Sequence, residues 1–219
     1  SIQWKYVERV PVVSVVWRAG ECEIEEEYFT PSEGAILFRR VNVKNLRSNE
    51  LKVTLSLSLY ANFGLFTTIY TDEQKKVAVA SGLAKMKLLS LEKNPTVAGR
   101  YDVRVDLGKL SPNVRKQATY VYAINDGETI FKKKNFETLW KETATYWGAR
   151  STFETGSPVL DTLFNVSRTG LKSAIARSGR NDAGIWQYNM EWLFEQVLAM
   201  EALLRAGFVN QAKVMLEKN

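Results

Sequence analysis

The chain reads as a mixed β-then-α fold, an antiparallel β-sandwich followed by α-helical hairpins, and three observations predict it. Apolar and polar residues alternate with a period of two through much of the first 124 residues, turn-formers punctuate that stretch at short intervals, and the period lengthens to that of a helix after Gly127. Many short strands with no helices between them point to a sandwich rather than a parallel sheet.

Strands are predicted at 3–8, 10–18, 21–29, 35–44, 51–61, 83–91, 100–107 and 118–124. Ala19-Gly20, Pro31-Ser32-Glu33-Gly34, Ser48-Asn49, Asn94-Pro95 and Asn125-Asp126-Gly127 separate them. Leu51, Val53, Leu55, Leu57 and Leu59 alternate with Lys52, Thr54, Ser56, Ser58 and Tyr60, the pattern of a strand buried on one face. Tyr101, Val103, Val105 and Leu107 alternate with Asp102, Arg104 and Asp106 in the same way. Glu23, Glu25 and Glu27 share one strand face; without closing ligands they are expected to mark an exposed, soluble edge rather than a cation site.

Beyond Gly127, Phe136, Leu139, Trp140, Thr143 and Trp147 recur on one helical face, and Gly148 ends that helix. Ser157-Pro158 opens the next, with serine at the cap and proline in the first turn. Leu160, Leu163, Phe164, Ser167, Leu171, Ala174 and Ile175 follow at helical spacing. A third helix is predicted over 190–205, stopped by Gly207, and a fourth over 210–218. The domains expected are a sandwich over 1–126, a linker helix over 127–150 and helical hairpins over 151–219. Trp192, Phe194, Val197, Leu198, Met200 and Leu204 spread over more than one side of the third helix, which therefore needs neighbours on both flanks. The pattern is still running at Asn219, so the expectation is a truncated helical array whose exposed helices a second chain or a homodimer covers.

Composition narrows the chemistry. The 219 residues include no histidine, which removes Ser-His-Asp catalysis and His-ligated metal sites. The single cysteine, Cys22, cannot close an intrachain disulfide or a thiolate cluster, and it fits a reducing, cytoplasmic setting. No cofactor and no metal is expected, and chemistry within these residues would rest on carboxylates, tyrosines, lysines or backbone groups. Thirty Lys+Arg against 24 Asp+Glu leave a net charge of +6 that is spread along the chain. Lys132, Lys133 and Lys134 lie on the polar side of a predicted helix without interleaved aromatics, so no nucleic-acid groove is expected. No apolar run reaches the ~18 residues of a membrane span, and no membrane partner is expected.

Two stretches resemble a known family, in the family's order. A-I-L-F-R-R-V-N-V-K-N-L-R-S-N-E-L-K-V-T-L-S-L-S-L-Y-A-N, residues 35–62, resembles a strand pair in the sandwich of bacterial and archaeal glycosidases and glycoside phosphorylases. The stretch 140–219 includes W-K-E-T-A-T-Y-W, S-P-V-L-D-T-L-F-N-V-S-R-T-G-L and G-I-W-Q-Y-N-M-E-W-L-F-E-Q-V-L-A-M-E-A-L-L-R-A-G-F. It is similar to the start of the (α/α)6 barrel in six-hairpin glycosidases of the amylo-α-1,6-glucosidase and glucoamylase-like group. The resemblance implies a truncated start of that barrel, with an oligosaccharide or polysaccharide of α-linked glucose as partner. It implies an inverting mechanism in which one carboxylic acid protonates the leaving oxygen and a second carboxylate activates water, the two lying ~6.5–9.5 Å apart. Phosphorolysis is the variant. The family's catalytic carboxylates fall on later hairpins, beyond residue 219, so these residues alone are expected to be catalytically silent.

The family's W-x-R-D-like sugar-holding element matches Trp192-Leu193-Phe194-Glu195, with Phe194 for the arginine and Glu195 for the aspartate. Trp186, Tyr188, Asn189, Glu191, Trp192 and Glu195 are the candidate substrate-binding residues: aromatic faces suit the C–H side of a pyranose, and amide and carboxylate groups suit its hydroxyls. The blander readings weigh more for two of them: Trp192 as core packing at the start of an apolar helix, and Glu195 as part of a polar stripe. A carbohydrate-binding module and a structural or assembly domain remain as alternative functions.

Overall fold

The first 124 residues form eleven strands among the described residues of the computed structural model, which describes 1–7, 10–60, 66–99, 101–148, 154–175, 179 and 193–218. They are β1 (Ile2–Val7), β2 (Val10–Ala19), β3 (Cys22–Phe29), β4 (Ile36–Asn45), β5 (Leu51–Ser58), β6 (Phe66–Asp72), β7 (Val77–Gly82), β8 (Lys85–Ser90), β9 (Thr96–Ala98), β10 (Asp102–Leu110) and β11 (Arg115–Ile124). Every pairing is antiparallel. Eight strands form one sheet in the order β1-β2-β3-β4-β11-β8-β7-β6, and β5-β10-β9 form a second. As the alternation predicts, Lys52 and Thr54 are exposed while Leu57 and Leu59 are buried; Val53 and Leu55 point the same way but are only half-buried.

The centre of the large sheet is covered on both faces. Val41 and Val43 of β4, with Ala118 and Tyr120 of β11, meet Val103, Val105 and Leu110 of β10 in the core between the sheets. On the opposite face Ile36 and Phe38 of β4, with Val10, Val12, Phe29 and Val121, meet helices α1 (Gly127–Lys133) and α2 (Phe136–Gly148). Phe38 stacks on Phe29 at 4.8 Å and takes the Phe136 ring edge-on at 5.1 Å, and Trp140 meets Phe29 edge-on at 4.7 Å. The face predicted for this helix is the one used, with Leu139, Trp140 and Thr143 buried. A β-carbon on Gly127 would stand 2.5 Å from the Ala35 carbonyl oxygen, so the close approach of α1 requires glycine.

Three strands escape the sequence reading. Val77, Ala78, Val79 and Ala80 of β7 are all buried, so that strand has no polar face to alternate with. Its neighbour β6 pairs along its length, and β9 has three residues, too few to show a period. The glutamates of β3 differ from expectation in place, because β3 lies inside the large sheet, between β2 and β4. Glu25 and Glu27 meet Lys5 at 3.1 and 2.9 Å, and Arg115 bridges Glu23 and Glu25 at 3.2 and 3.1 Å. Cation neighbours on β1 and β11, rather than water at an edge, compensate this carboxylate row.

Contacts group the chain into Ser1–Gly148 and Ala149–Asn219. The second unit contains α3 (Pro158–Ala174), α4 (Leu193–Arg205) and α5 (Val209–Lys218). Ala199, Leu203, Ala206, Phe208, Ala212 and Met215 form its core, with Leu171 and Ile175 of the α3 end packed against it. Gly207, at φ +81°, ends α4 as predicted: its N–H reaches the Leu204 carbonyl, and the Phe208 N–H reaches Leu203. At the start of α3, Ser157 occupies the cap position without a side-chain cap bond; Asp161 instead accepts hydrogen bonds from the N–H and hydroxyl of Thr155, both at 2.8 Å. The buried face of α3 also differs from the apolar stripe. Leu160 and Leu163 are exposed, and Arg168, Thr169 and Lys172 are buried.

Phe38 is fully buried among three aromatic rings. Phe38→Ala should lower the unfolding free energy by about 3–5 kcal/mol, while Leu83→Ala at an exposed hairpin tip should stay within about 0.5 kcal/mol. Urea unfolding checks both, and comparable losses would contradict this packing.

Candidate functional site

A carboxylate in the first turn of a helix gains from the partial positive charge of the unpaired N–H groups there, and α4 opens with Leu193, Phe194 and Glu195. Glu195 is half-buried; Leu193 and Phe194 are exposed at 71% and 73%. It is the one member of the predicted sugar-contacting set among the described residues. Trp186, Tyr188, Asn189, Glu191 and Trp192 lie outside them. Where an arginine at position 194 would carry a charged fork, Phe194 presents a bare apolar ring.

Along α4 and α5 runs a cleft of about 180 Å³ lined by Leu193, Gln196, Val197, Met200, Met215 and Leu216. Among the described residues no charged one lines it, and Glu195 is outside it. Val197, Leu198 and Leu204 of α4 are each close to half exposed and Met200 is half-buried, so the helix keeps apolar surface on more than one side, as its composition predicts. Among the described residues no group of three or more acidic or thiol side chains is placed to hold a metal ion.

The second unit contains a cation pair that periodicity alone passes over. Arg168 and Lys172 stand one turn apart on the buried side of α3, 4.5 and 4.9 Å from the Phe208 ring centre. Arg168 donates from Nε to the Ala206 carbonyl at 3.0 Å, just beyond the last turn of α4. The cations thus face the negative end of a helix dipole and the negative face of an aromatic ring. Burial, reinforced by the Arg168 charge, pushes the Lys172 ammonium down to about 8. The available sequence signal was two cations at i and i+4 on one side of a helix.

In the first unit a polar cluster sits on the large sheet's face toward the small sheet. Glu26 is 5% exposed and accepts from Trp17 Nε1 at 3.1 Å, from the Tyr28 hydroxyl and from Arg39 at 2.8 Å. Arg39 also donates to the Tyr122 hydroxyl at 3.3 Å and lies 5.4 Å from the Tyr28 ring centre. Burial, then the hydrogen bond to Glu26, raises the Tyr28 phenol above its ordinary range, so it stays a neutral donor. Glu26 and Arg39 thus face each other, with the Tyr28 and Tyr122 hydroxyls completing their hydrogen bonds.

The Lys172 shift has a definite sign. The unfolded chain keeps this ammonium up to about pH 10.5 and the folded chain up to about 8, so the folded state binds fewer protons between those values. Stability of the second unit should rise from pH 8 to 10.5, and Lys172→Met should flatten that rise. Helix melting followed by circular dichroism at several pH values checks it; equal slopes in both proteins would contradict it.

No protein-family model and no curated protein sequence matches the chain. Solved structures do. A bacterial glucoamylase complexed with acarbose matches over 99% of this chain, with a TM-score of 0.66 and 13% identity. A kojibiose phosphorylase from the human microbiome matches over 67% of it, at 12% identity and a TM-score of 0.41, and this chain covers 25% of that protein. The chain spans 40% of the length of the glucoamylase. Its fold, an antiparallel sandwich followed by helices, is similar to part of that glucoamylase.

Proposed function

We propose that these residues serve as the sandwich and opening helices of a glycoside hydrolase acting on α-linked glucosides by inversion, with the two catalytic carboxylates supplied by polypeptide outside 1–219. The observation that carries this reading is the match of nearly the whole chain to one contiguous fold, sandwich then helices, in a glucoamylase. In this reading Trp186, Tyr188, Asn189, Glu191, Trp192 and Glu195 form one wall of the sugar pocket. Indole and phenol rings stack on the pyranose, while Asn189, Glu191 and Glu195 hold its hydroxyls. The sandwich, with α2 packed into its second core, acts as a rigid support, the arrangement in which loop residues keep a usable geometry.

The exposed apolar surface of α4 fits the same reading. Leu193, Phe194, Val197, Leu198 and Leu204 make a broad patch, and later barrel helices are the elements that would cover it.

Residues 1–219 alone should show no turnover on maltooligosaccharides. A longer polypeptide containing them should release β-anomeric glucose first, read by proton NMR within minutes of mixing. Glu195→Gln in that polypeptide should raise KM roughly tenfold, about 1.4 kcal/mol of lost hydroxyl binding, with a smaller change in kcat. Initial release of the α-anomer would reject inversion, and an unchanged KM would remove Glu195 from the pocket.

A further inference from the structure

We propose that the outer edge of β5 receives one further β-strand, donated by polypeptide of the same protein outside 1–219, which lies across the β2–β3 end of the large sheet. Three strands face eight. β10 contacts β11, β8 and β7, and β9 contacts β6, so β5, on the other flank of β10, lies toward the β4 side. Strands β3, β2 and β1 continue the large sheet in that direction.

Burial falls away on both sides of this gap. On β10, flanked by two strands, Val103 and Val105 are 0% and 4% exposed; on β5 the inward-pointing Val53 and Leu55 are only half-buried. Across the gap the same sheet face continues through Val13, Val15 and Trp17 of β2, whose register partners are Tyr28, Glu26 and the core residue Ile24 of β3. Val13 and Val15 are half-buried, and Trp17 is 44% exposed. On β3 the same face stays covered, with Ile24 and Glu26 at 8% and 5% exposed, so in the large sheet the loss of cover falls on β2, as it would if the small sheet lacked a strand there.

The backbone of β5 agrees. Among the described residues it pairs only with β10, leaving one edge of an eight-residue strand open. Natural sheets blunt such edges with proline, charged side chains, inward charge or a bulge. β5 has no proline and no inward charge, its one charged residue is the outward Lys52 near its start, and the bulge in this ladder lies on β10, between Asp106 and Gly108.

These features define the occupant: an extended segment, apolar at alternate positions on the side facing β2, polar on the side continuing Lys52, Thr54 and Ser56. A second copy of the sandwich does not fit, because pairing β5 with β5 would drive the overhanging β1–β3 of each copy into the layer the other already fills. A lone strand has no layer beneath it and meets no such conflict. The donor as a longer form of this polypeptide rests on the reading under Proposed function.

Hydrogen–deuterium exchange of residues 1–219 and of the longer polypeptide encoded with them tests the proposal. Alternate amides within 51–58, those on the outer edge, should exchange about 100-fold more slowly in the longer polypeptide, while β10 amides keep their protection. Acrylamide quenching of Trp17, read as the difference between wild type and Trp17→Phe, should fall alongside. Equal exchange of the β5 edge in both proteins overturns the proposal. So does protection that develops in 1–219 alone with rising concentration, which would mean a second copy. Glucoside hydrolysis by a longer polypeptide whose β5 edge stays open rejects this inference and leaves the functional reading. A protected edge without hydrolysis does the reverse, and a gene product no longer than 1–219 rejects both.

Discussion

Strand β4 has to bury both of its faces, and the first unit is built around that requirement. Its residues point alternately into the inter-sheet core, through Val41 and Val43, and into the helix-covered core, through Ile36 and Phe38. A half-buried strand would need one covering layer; β4 and β11 need two. The second layer on one side is the small sheet and on the other is α1 and α2, held by the Phe29–Phe38–Phe136–Trp140 ring cluster. Arg40, whose guanidinium lies 5.1 Å from the Phe136 ring centre and 5.4 Å from that of Trp140, closes the border of the cluster with a cation whose stem can stay apolar.

Charge inside this scaffold follows the same geometry. A sheet brings residues from distant sequence positions into rows, so a buried carboxylate can be compensated by partners that no local pattern announces. Glu26 meets Arg39 and the Tyr28 hydroxyl across one row, and Arg115 reaches Glu23 and Glu25 from β11. Removing one member of a buried pair costs far more than removing both, because a lone charge is left without water. The cluster on Glu26 therefore argues for a specified register among β2, β3 and β4 more than for chemistry. In the second unit Arg168 and Lys172 do the comparable thing for helices, joining α3 to the end of α4 through the Ala206 carbonyl and the Phe208 ring.

The two units differ in how completely they bury themselves. The sandwich carries two cores, whereas α3, α4 and α5 share a small one and leave Leu160, Leu163, Phe194 and Leu198 open to solvent. Glu195 stands in the first turn of α4, where the resemblance to a sugar-holding element places a carboxylate, and Phe194 beside it departs from that element.

What the sequence by itself determined was anything carried by a period or a punctuating residue. The alternation of 51–59 and 101–107, the helical face of Phe136, Leu139, Trp140 and Thr143, and the stop at Gly207 all follow from local chemistry that tertiary packing had no cause to override. Strand β7 was illegible because burial on both faces erases alternation, and β9 because three residues hold no period. The placing of Glu23, Glu25 and Glu27 inside the sheet, with their cations on other strands, depended on strand order, which alternation does not encode. The reversal on α3, where Arg168 and Lys172 are buried and Leu160 is not, was likewise decided only in three dimensions. A periodic pattern names the face a helix would bury against an unspecified neighbour; the ring of Phe208 and the carbonyl of Ala206 supply a particular one, and it prefers cations.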